Sequence, residues 1–494
     1  MTRPHLTRPE IAERICGGAS LFIYRERVIN ATSWERHHPG GALAIQHFVG
    51  RDATDEVEAY HSPAALERIA KYAIATVEVD AKTGWRPLTP PIAVGLVRHP
   101  DGVKGHWARE GNVRLAGAAA SSDIITLTPS DIEPAVSDLD AAREKSRSDA
   151  YHELKSRIKD AGLFERPGPL GGYGSDLIRY SFLGAMAFGL HLRTSGWIGQ
   201  MGSAIFLGLF YHQLTLTGNW WWDRVIGMLV ANWIGGLSLG WWCDSQLTTV
   251  VTNHPEHDPD IQHIPFFAIS KDFFGSLWST YYKRVMALDG FAKVMVPLQH
   301  KLYYVVLSLA RFNLYANSYI YLASRKPKRD SFWRFELAGV AFYWLYFGAI
   351  LASQRAWGMR FAYLLVSHVV ASPVHVQIVL SHFACSTEDL GPSESFASRQ
   401  LRTTMDVICS PEIEFLHGGL HLQVTHHLFP RLPRHNLRAA SLLVKEYCKE
   451  QDILYREHGF VDGNKHVLSV LEDVAKQLEF IKIVAGGEIK ERTQ

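Results

Sequence analysis

His38-Pro39-Gly40-Gly41 and, further along, His61 at the end of GRDATDEVEAYH place two imidazoles on either side of a short helical excursion. Two histidines so placed can grip one haem iron from both faces. The apolar residues between and around them (Leu43, Ile45, Phe48, Val49, Val57 and Tyr60) can wall the pocket. Gly40 and Gly41 permit a tight turn close to a flat cofactor. Iron held by two histidines has no open position, so such a site moves electrons and binds no substrate. A second cluster lies near the C-terminal end, in LHGGLHLQVTHHLFPRLPRHNL. There Gln423, His426 and His427 form QxxHH, with His417 and His421 upstream. Residues three and four apart share a helix face, so the three side chains can point into one site. Imidazole suits iron, and a neutral histidine needs an acceptor beyond the metal to fix its tautomer.

The elements that must position these residues differ along the chain. At 494 residues more than one domain is expected. Apolar runs gather between Leu177 and Ala384, while the two ends are polar and mixed. A net charge of +2 argues against a nucleic-acid binder working by bulk electrostatics. The five cysteines show no CxxC, so neither a disulfide framework nor a zinc ribbon is expected. MTRPHLTRPEIAER lacks an apolar signal core. Ser20 to Val28 reads as one strand, and Trp34 precedes the ligand loop. Residues 80–174, rich in Pro, Gly, Ala and Ser, read as a solvated tether carrying one amphipathic helix. Thr128-Pro129 reads as a helix start, and the amphipathic helix runs from Ser137 to Ala161, stopped by Gly162.

Leu177–Leu192 with Trp197–Leu216, and Phe332–Ser353 with Met359–Leu380, read as two membrane hairpins. Val225–Trp242 is apolar but rich in Gly and Trp, which suits a half-embedded segment. The intervening stretch from Asp244 to Asp330 ends in the basic run RKPKR and is assigned to the cytosol, together with both chain ends. His300–Leu322 suits an interfacial helix. Asn436–Glu450 and Asn464–Ile483 carry helix-period apolar residues and read as packing helices.

The stretch from Pro9 to Val79 resembles cytochrome b5. Through GGLSLGWW, VVTNHPEHDPDIQHIPFFAIS, ARFNLYANSYIYL, PVHVQIVLSHFACSTED and QVTHHLFPRLPRHNL, the whole chain resembles a front-end membrane desaturase. More narrowly, it is similar to the fungal delta-8 sphingolipid desaturases. The fold implied is an α+β cytochrome b5-like haem domain (9–79) and a linker (80–174). An all-α polytopic desaturase domain of about four transmembrane helices (175–430) and cytosolic C-terminal helices (431–494) follow. The resemblance implies haem b on His38 and His61, and a cytosolic non-haem di-iron centre in the endoplasmic reticulum membrane. Electrons would come from NADH through a cytochrome b5 reductase. O2 would serve to remove two hydrogens from the long-chain base of a ceramide, between carbons eight and nine. Gln423, His426 and His427 would be catalytic, with His382, His421, His426 and His427 among the iron ligands. A front-end delta-5 or delta-6 acyl-lipid desaturase, and a non-enzymatic b5-type electron carrier, are alternatives.

The chain departs from the family pattern twice. An HxxxH box expected after His212-Gln213-Leu214-Thr215 is replaced by a direct run into Asn219-Trp220-Trp221-Trp222-Asp223. An HxxHH box expected after Asp244-Ser245 is replaced by Gln246-Leu247-Thr248-Thr249. Two irons need many donors in tight geometry, so this chain is expected to be impaired as a desaturase. His254, His257 and His263, in NHPEHDPDIQH, are poorly suited to stand in for the lost ligands. Wrongly drawn exon edges or an inactive paralogue would each explain the losses.

Overall fold

A computed structural model describes residues 3–98, 107–109, 124–125, 127–166, 172, 174–211, 220–249, 253–324, 326–417 and 419–492. Helix α1 (Arg8–Cys16) opens on a capping box between Thr7 and Glu10, with Pro9 in its first turn. A three-stranded antiparallel sheet follows, from β1 (Leu21–Tyr24), β2 (Arg27–Asn30) and β3 (Ala73–Thr76), in that order. The single strand expected over Ser20–Val28 is therefore a hairpin. Arg25 and Glu26 take φ of 49° and 60° and form its two-residue turn. Neither residue type announces a left-handed turn, which hid the reversal. Between β2 and β3, α2 (Leu43–Gln46), α3 (Thr54–Tyr60) and α4 (Pro63–Ala70) form a cleft over the sheet.

The core of this module continues beyond Val79. Strands β4 (Leu96–Arg98), β5 (Trp107–Arg109) and β6 (Ile124–Ile125) form a second antiparallel sheet. Leu88, Leu96, Trp107, Leu127 and Ile132 pack with Ile11, Ile15, Leu21 and Ile23. The Trp107 indole donates to the Ile15 carbonyl at 2.6 Å. Thr128-Pro129 does begin a helical turn, capped by Asp131, that buries Ile132. Helix α5 (Ala141–Asp160) starts on Asp140, whose carboxylate accepts from Ala142, and stops before left-handed Gly162. Its inner face is not solvated: Tyr151, Leu154 and Ile158 are buried with Phe396, Val424, Leu428 and Phe429.

The apolar region begins with α6 (Gly174–Arg193) and α7 (Trp197–Tyr211), packed together as a hairpin. Helix α8 (Trp220–Gly227) runs into a π-helical turn, Met228–Ile234, before α9 (Leu239–Thr249). Segments 224–234 and 239–245 meet at 110°, a broken or re-entrant span that matches the half-embedded reading. Gly236 makes the bend possible. It has φ of 74°, and a Cβ there would lie 2.6 Å from the Tyr343 ring. The Glu336 carboxylate then accepts from the Ser238 hydroxyl (2.6 Å) and the Gly240 amide (2.9 Å), covering the start of α9.

Strands β7 (Leu277–Ser279) and β8 (Arg284–Met286) form a small hairpin. The stretch expected as one interfacial helix lies across two, α10 (Ala292–Ser308) and α11 (Ala310–Ala323), and buries Tyr303, Arg311 and Tyr315. Helix α12 (Ser331–Ser353) precedes α13 (Trp357–Val369) and α14 (Pro373–Phe383). Among the described residues, two helical segments are long and apolar enough to cross a membrane, Ser331–Ser353 and Trp357–Phe383, and the bent pair makes a third. Helix α7 has 15 described residues, short of the roughly 20 a span needs.

The C-terminal part holds α15 (Phe396–Thr403), β9 (Asp406–Ile408), α16 (Gln423–Leu428) and α17 (Leu437–Glu450). Strand β10 (Glu457–Gly459), parallel to β9, leads into α18 (Phe460–Arg492). Helices α17 and α18 fall where periodicity places them. Val467, Leu471, Val474 and Leu478 of α18 pack on Val296, Tyr303 and Leu307 of α10.

Trp107 ties the segment after Val79 to the haem-type module. Trp107→Ala is expected to destabilise that module by about 3–5 kcal/mol. Thermal unfolding of the full chain, followed at the haem absorption band, measures it.

Candidate functional site

The 3-10 turn Glu35–His37 ends at His38, the first expected ligand, and α3 ends at His61, the second. Their ring centroids lie 5.9 Å apart with planes at 54°. Two imidazole–metal bonds of about 2 Å, plus roughly one ring radius at either end, come to about 6 Å. The tautomers are set from behind. His38 Nδ1 donates to the Gly41 carbonyl at 3.2 Å, and His61 Nδ1 to the Val57 carbonyl at 2.9 Å. Each Nε2 is thereby left as a lone pair for a metal. Burial lowers both pKa values and favours the neutral, ligating form; for His38 the neighbouring His61 adds to the effect. Gly41 has φ of 79°, and a Cβ on Gly40 would sit 3.0 Å from the His38 ring. Pro39 fixes the chain between ligand and glycines. The site suits haem b on these observations.

Ile45, Phe48 and Val57 wall this cleft as expected, together with Phe22, Tyr24, Ile29, Leu66 and Ile69. Two expected wall residues lie elsewhere. Val49 is fully buried in the core on the other side of β1, with Leu21 and Ile23. Tyr60 turns outward, and its ring meets Phe396 of α15 at 6.4 Å. Helical spacing could not separate these faces, because α2 and α3 are only 4 and 7 residues long.

Tyr60 belongs to an interface between the haem module and the rest of the chain. Tyr151 touches Phe396 (5.5 Å between centroids) and stacks on Phe429 (5.3 Å), and its hydroxyl donates to the Leu428 carbonyl at 2.8 Å. Arg431, inside the QxxHH box segment, donates to the carbonyl of His61 at 2.8 Å. On the other side of α5, Ser148 and His152 reach Asp55 (both 2.8 Å), and Lys155 reaches Glu58 (3.0 Å).

Beyond that interface lies the second cluster. Gln423 and His427 share a face of α16 and bond to each other at 2.9 Å. His382, at the end of α14, brings its ring centroid to 5.1 Å from that of His427. His427 Nδ1 donates to Gln400 Oε1 at 3.0 Å, which leaves Nε2 as the lone pair. Burial, then His382 and His426, hold the His427 pKa well below the ordinary value, so the ring is neutral at physiological pH. His426 is half-buried, and its ring stands at 77° to that of His427, with 6.0 Å between centroids. His421 sits on a separate turn, 3.6 Å from Glu414 and with its centroid 5.9 Å from that of His417. Burial takes its pKa down to about 4. The structure thus brings His382, Gln423 and His427 together and sets His421 with His417. Asp406 anchors the start of α16 by accepting from the Val424 amide at 2.8 Å, and burial raises its carboxyl to about 7. Gln400, Asp406, Tyr151 and the role of Arg431 left no local signal in sequence, because their partners are far along the chain.

His212 and the residues to Asn219 lie outside the described residues, as do the side chains of Trp220–Asp223 and Gln246–Thr249. His254 and His257 stack on each other (4.2 Å), His257 meets His47 of the haem module edge-to-face at 4.3 Å, and His263 bonds to the Asp260 carbonyl at 2.9 Å. Among the described residues no three His, Cys, Asp or Glu side chains converge on a point able to hold a metal ion. The donors among the described residues do not fit a pair of irons.

A bis-histidine module docked on a bundle of apolar helices, with a second histidine group beside the interface, defines a membrane-type redox protein fed by its own haem domain. Residues 186–459 match the fatty acid desaturase family, and residues 7–78 match the cytochrome b5-like heme/steroid binding domain. The chain is 40% identical to a Delta 8-(E)-sphingolipid desaturase of Emericella nidulans, covering 97% of this chain and 95% of the relative. It is 40% identical to the enzyme of the same name from Komagataella phaffii (96% and 94%) and 35% identical to that from Candida albicans (95% and 96%). It belongs to the fatty acid desaturase family, in the fungal delta-8 sphingolipid desaturase branch with a fused cytochrome b5 domain. The alignment to the Emericella protein runs over 531 positions, more than the 494 residues here, so segments of that relative have no counterpart in this chain.

Gly40→Val is expected to press on the His38 ring and lower haem content in an otherwise folded chain, read as haem absorbance per protein. Docking should also depend on pH. The hydrogen bond that His152 donates to Asp55 raises the His152 pKa above its ordinary 6.5, with Glu58 adding to it and burial and Lys155 opposing it. This stabilisation is complete below pH 6.5 and is lost as pH rises through the raised value. Hydrogen exchange of α5 should accelerate over that range, and His152→Gln should flatten the dependence.

Proposed function

We propose that this chain is a haem-fed oxidoreductase of the delta-8 sphingolipid type whose lipid-oxidising centre is incomplete. The observation that carries the reading is the docked pair of sites: His38 and His61 with tautomers set for haem, and His382, Gln423 and His427 across the Tyr60–Phe396–Tyr151 contact. When bound, haem between two imidazoles supplies one-electron transfer. His38 and His61 present neutral Nε2 lone pairs to it, and Gly40 and Gly41 leave room for its plane. Helix α5 and Arg431 hold the module against α15 and α16, so donor and acceptor regions need no diffusional search.

The names of the relatives support a sphingolipid substrate; within that class the reading is the long-chain base of a ceramide, with O2 as co-substrate and NADH supplying electrons through a cytochrome b5 reductase. The working division is 9–79, 80–174, 175–430 and 431–494. Four spans in the endoplasmic reticulum membrane, with the haem module and histidine cluster on the cytosolic face, suit the paired helices and the basic run at 325–329. Gln423, His426 and His427, with His382 and His421, are the catalytic and iron-binding remnant. Removing two hydrogens from an unactivated alkyl chain needs an oxidant stronger than any side chain. Among the described residues the donors for two irons are not assembled, which supports the impaired reading.

Expression of this chain in a desaturase-deficient yeast, followed by sphingoid-base profiling, tests the reading. No new delta-8 double bond is expected, and its appearance would refute the impairment.

A further inference from the structure

A cavity of about 70 Å³ lies between the haem module and the desaturase region, away from both sites above. Its wall includes Arg51 and His47 from the haem module and His254, His257, Arg399 and Arg402 from the other side. Arg51 precedes α3, and its backbone is locked between Phe48 and Ile23. Its side chain is only 6% exposed, yet among the described residues it makes no hydrogen bond or ion pair, and its Nε is fully enclosed without a partner. The Phe48 ring lies 5.4 Å from its guanidinium, and the charges of Glu56, Asp389 and Glu394 offset it without bonding to it. His47 is 5% exposed, and its Nε2 is likewise enclosed without a partner. Burial, with Arg399 alongside, lowers the Arg51 pKa to about 10, so the guanidinium stays charged at neutral pH.

Glu56, buried nearby, is held partly protonated by burial, with its carboxyl raised to about 7, and the acidic groups closer to the cavity are already engaged. Glu394 takes two bonds from Arg402 (2.7 and 2.9 Å), and Asp389 lies 3.5 Å from His254 and accepts from the Gly391 amide at 2.9 Å. Glu388 also lines the space, at its exposed side. Arg399 reaches Glu394 and the Gly391 carbonyl only at 3.4 Å each. What the cavity leaves without a close acceptor is therefore the Arg51 guanidinium and, in part, that of Arg399, beside a neutral His47 ring. An unpaired buried guanidinium is costly, and its planar fork matches the edge of a tetrahedral oxyanion. The volume suits a single phosphate group.

We propose that this cavity is a phosphate-binding site that bridges the two modules, with Arg51 and Arg399 as its principal donors. Inorganic phosphate and the phosphomonoester headgroup of a lipid share this chemistry. Because the walls come from both modules, an occupant strengthens docking of the haem domain.

The full-length, haem-loaded chain in phosphatidylcholine nanodiscs is melted in sodium phosphate and in sodium chloride at matched ionic strength. A second set of discs contains phosphatidic acid without free phosphate. A saturable rise in melting temperature is expected in one arm and assigns the source. A rise with free phosphate points to the soluble ion, and a rise only with phosphatidic acid points to a lipid headgroup. Arg51→Gln should weaken the effect about tenfold or more, since charge-assisted bonds are lost. Arg399→Gln should do the same and carries the test if Arg51→Gln does not fold. Equilibrium dialysis of radiolabelled phosphate, or of a short-chain phosphatidic acid, against the unmodified chain should give one site. No rise in either arm, or an unchanged rise in the variants, overturns the proposal.

Discussion

Tyr151 hydrogen-bonds the Leu428 carbonyl from a helix whose far side carries ion pairs to Asp55 and Glu58 of the haem module. That one helix is covalently the linker and physically the clamp. Its buried face closes on the segment bearing His427, while its polar face closes on the helix ending at His61. Burial of Tyr151, Leu154 and Ile158 is worth several kcal/mol, at roughly 1.5–3 kcal/mol per large apolar side chain. A flexible tether would give the haem module an effective concentration; this helix gives it an orientation.

The two histidine groups are held by the same device in different degrees of completion. At His38 and His61 the backbone carbonyls of Gly41 and Val57 fix both tautomers, and the gap matches what one metal needs. At His427 the device is a side chain, Gln400, and the lone pair it frees meets the Gln423 amide. One imidazole, His382, faces it, and the remaining donors are dispersed toward Glu414 or toward His47. Among the described residues, a paired-imidazole site therefore stands beside a histidine group in which no three donors converge on one point.

What the sequence made legible was local. HPGG with His61, the QxxHH helix and the periodic helices α17 and α18 each carry their signal within a few turns. The hairpin at Arg25-Glu26 was hidden because left-handed turns are usually announced by Gly or Asn. The faces of Val49 and Tyr60 are not legible locally, because Val49 lies in the turn after a 4-residue helix and Tyr60 ends a 7-residue one. Trp107 and Tyr151 look like residues of a polar tether until their partners, Ile15 and Leu428, come from the opposite ends of the chain. Gln400 is separated from His427 by a strand and two turns, and no spacing rule links them.

The ratio of total iron to haem in the purified full-length chain weighs the completed site against the unfinished one. Haem is counted from its pyridine spectrum and iron by elemental analysis. One iron per haem is expected, all of it in the His38–His61 cleft. Three irons per haem would contradict this, because the histidines around His427 would then hold a metal pair after all.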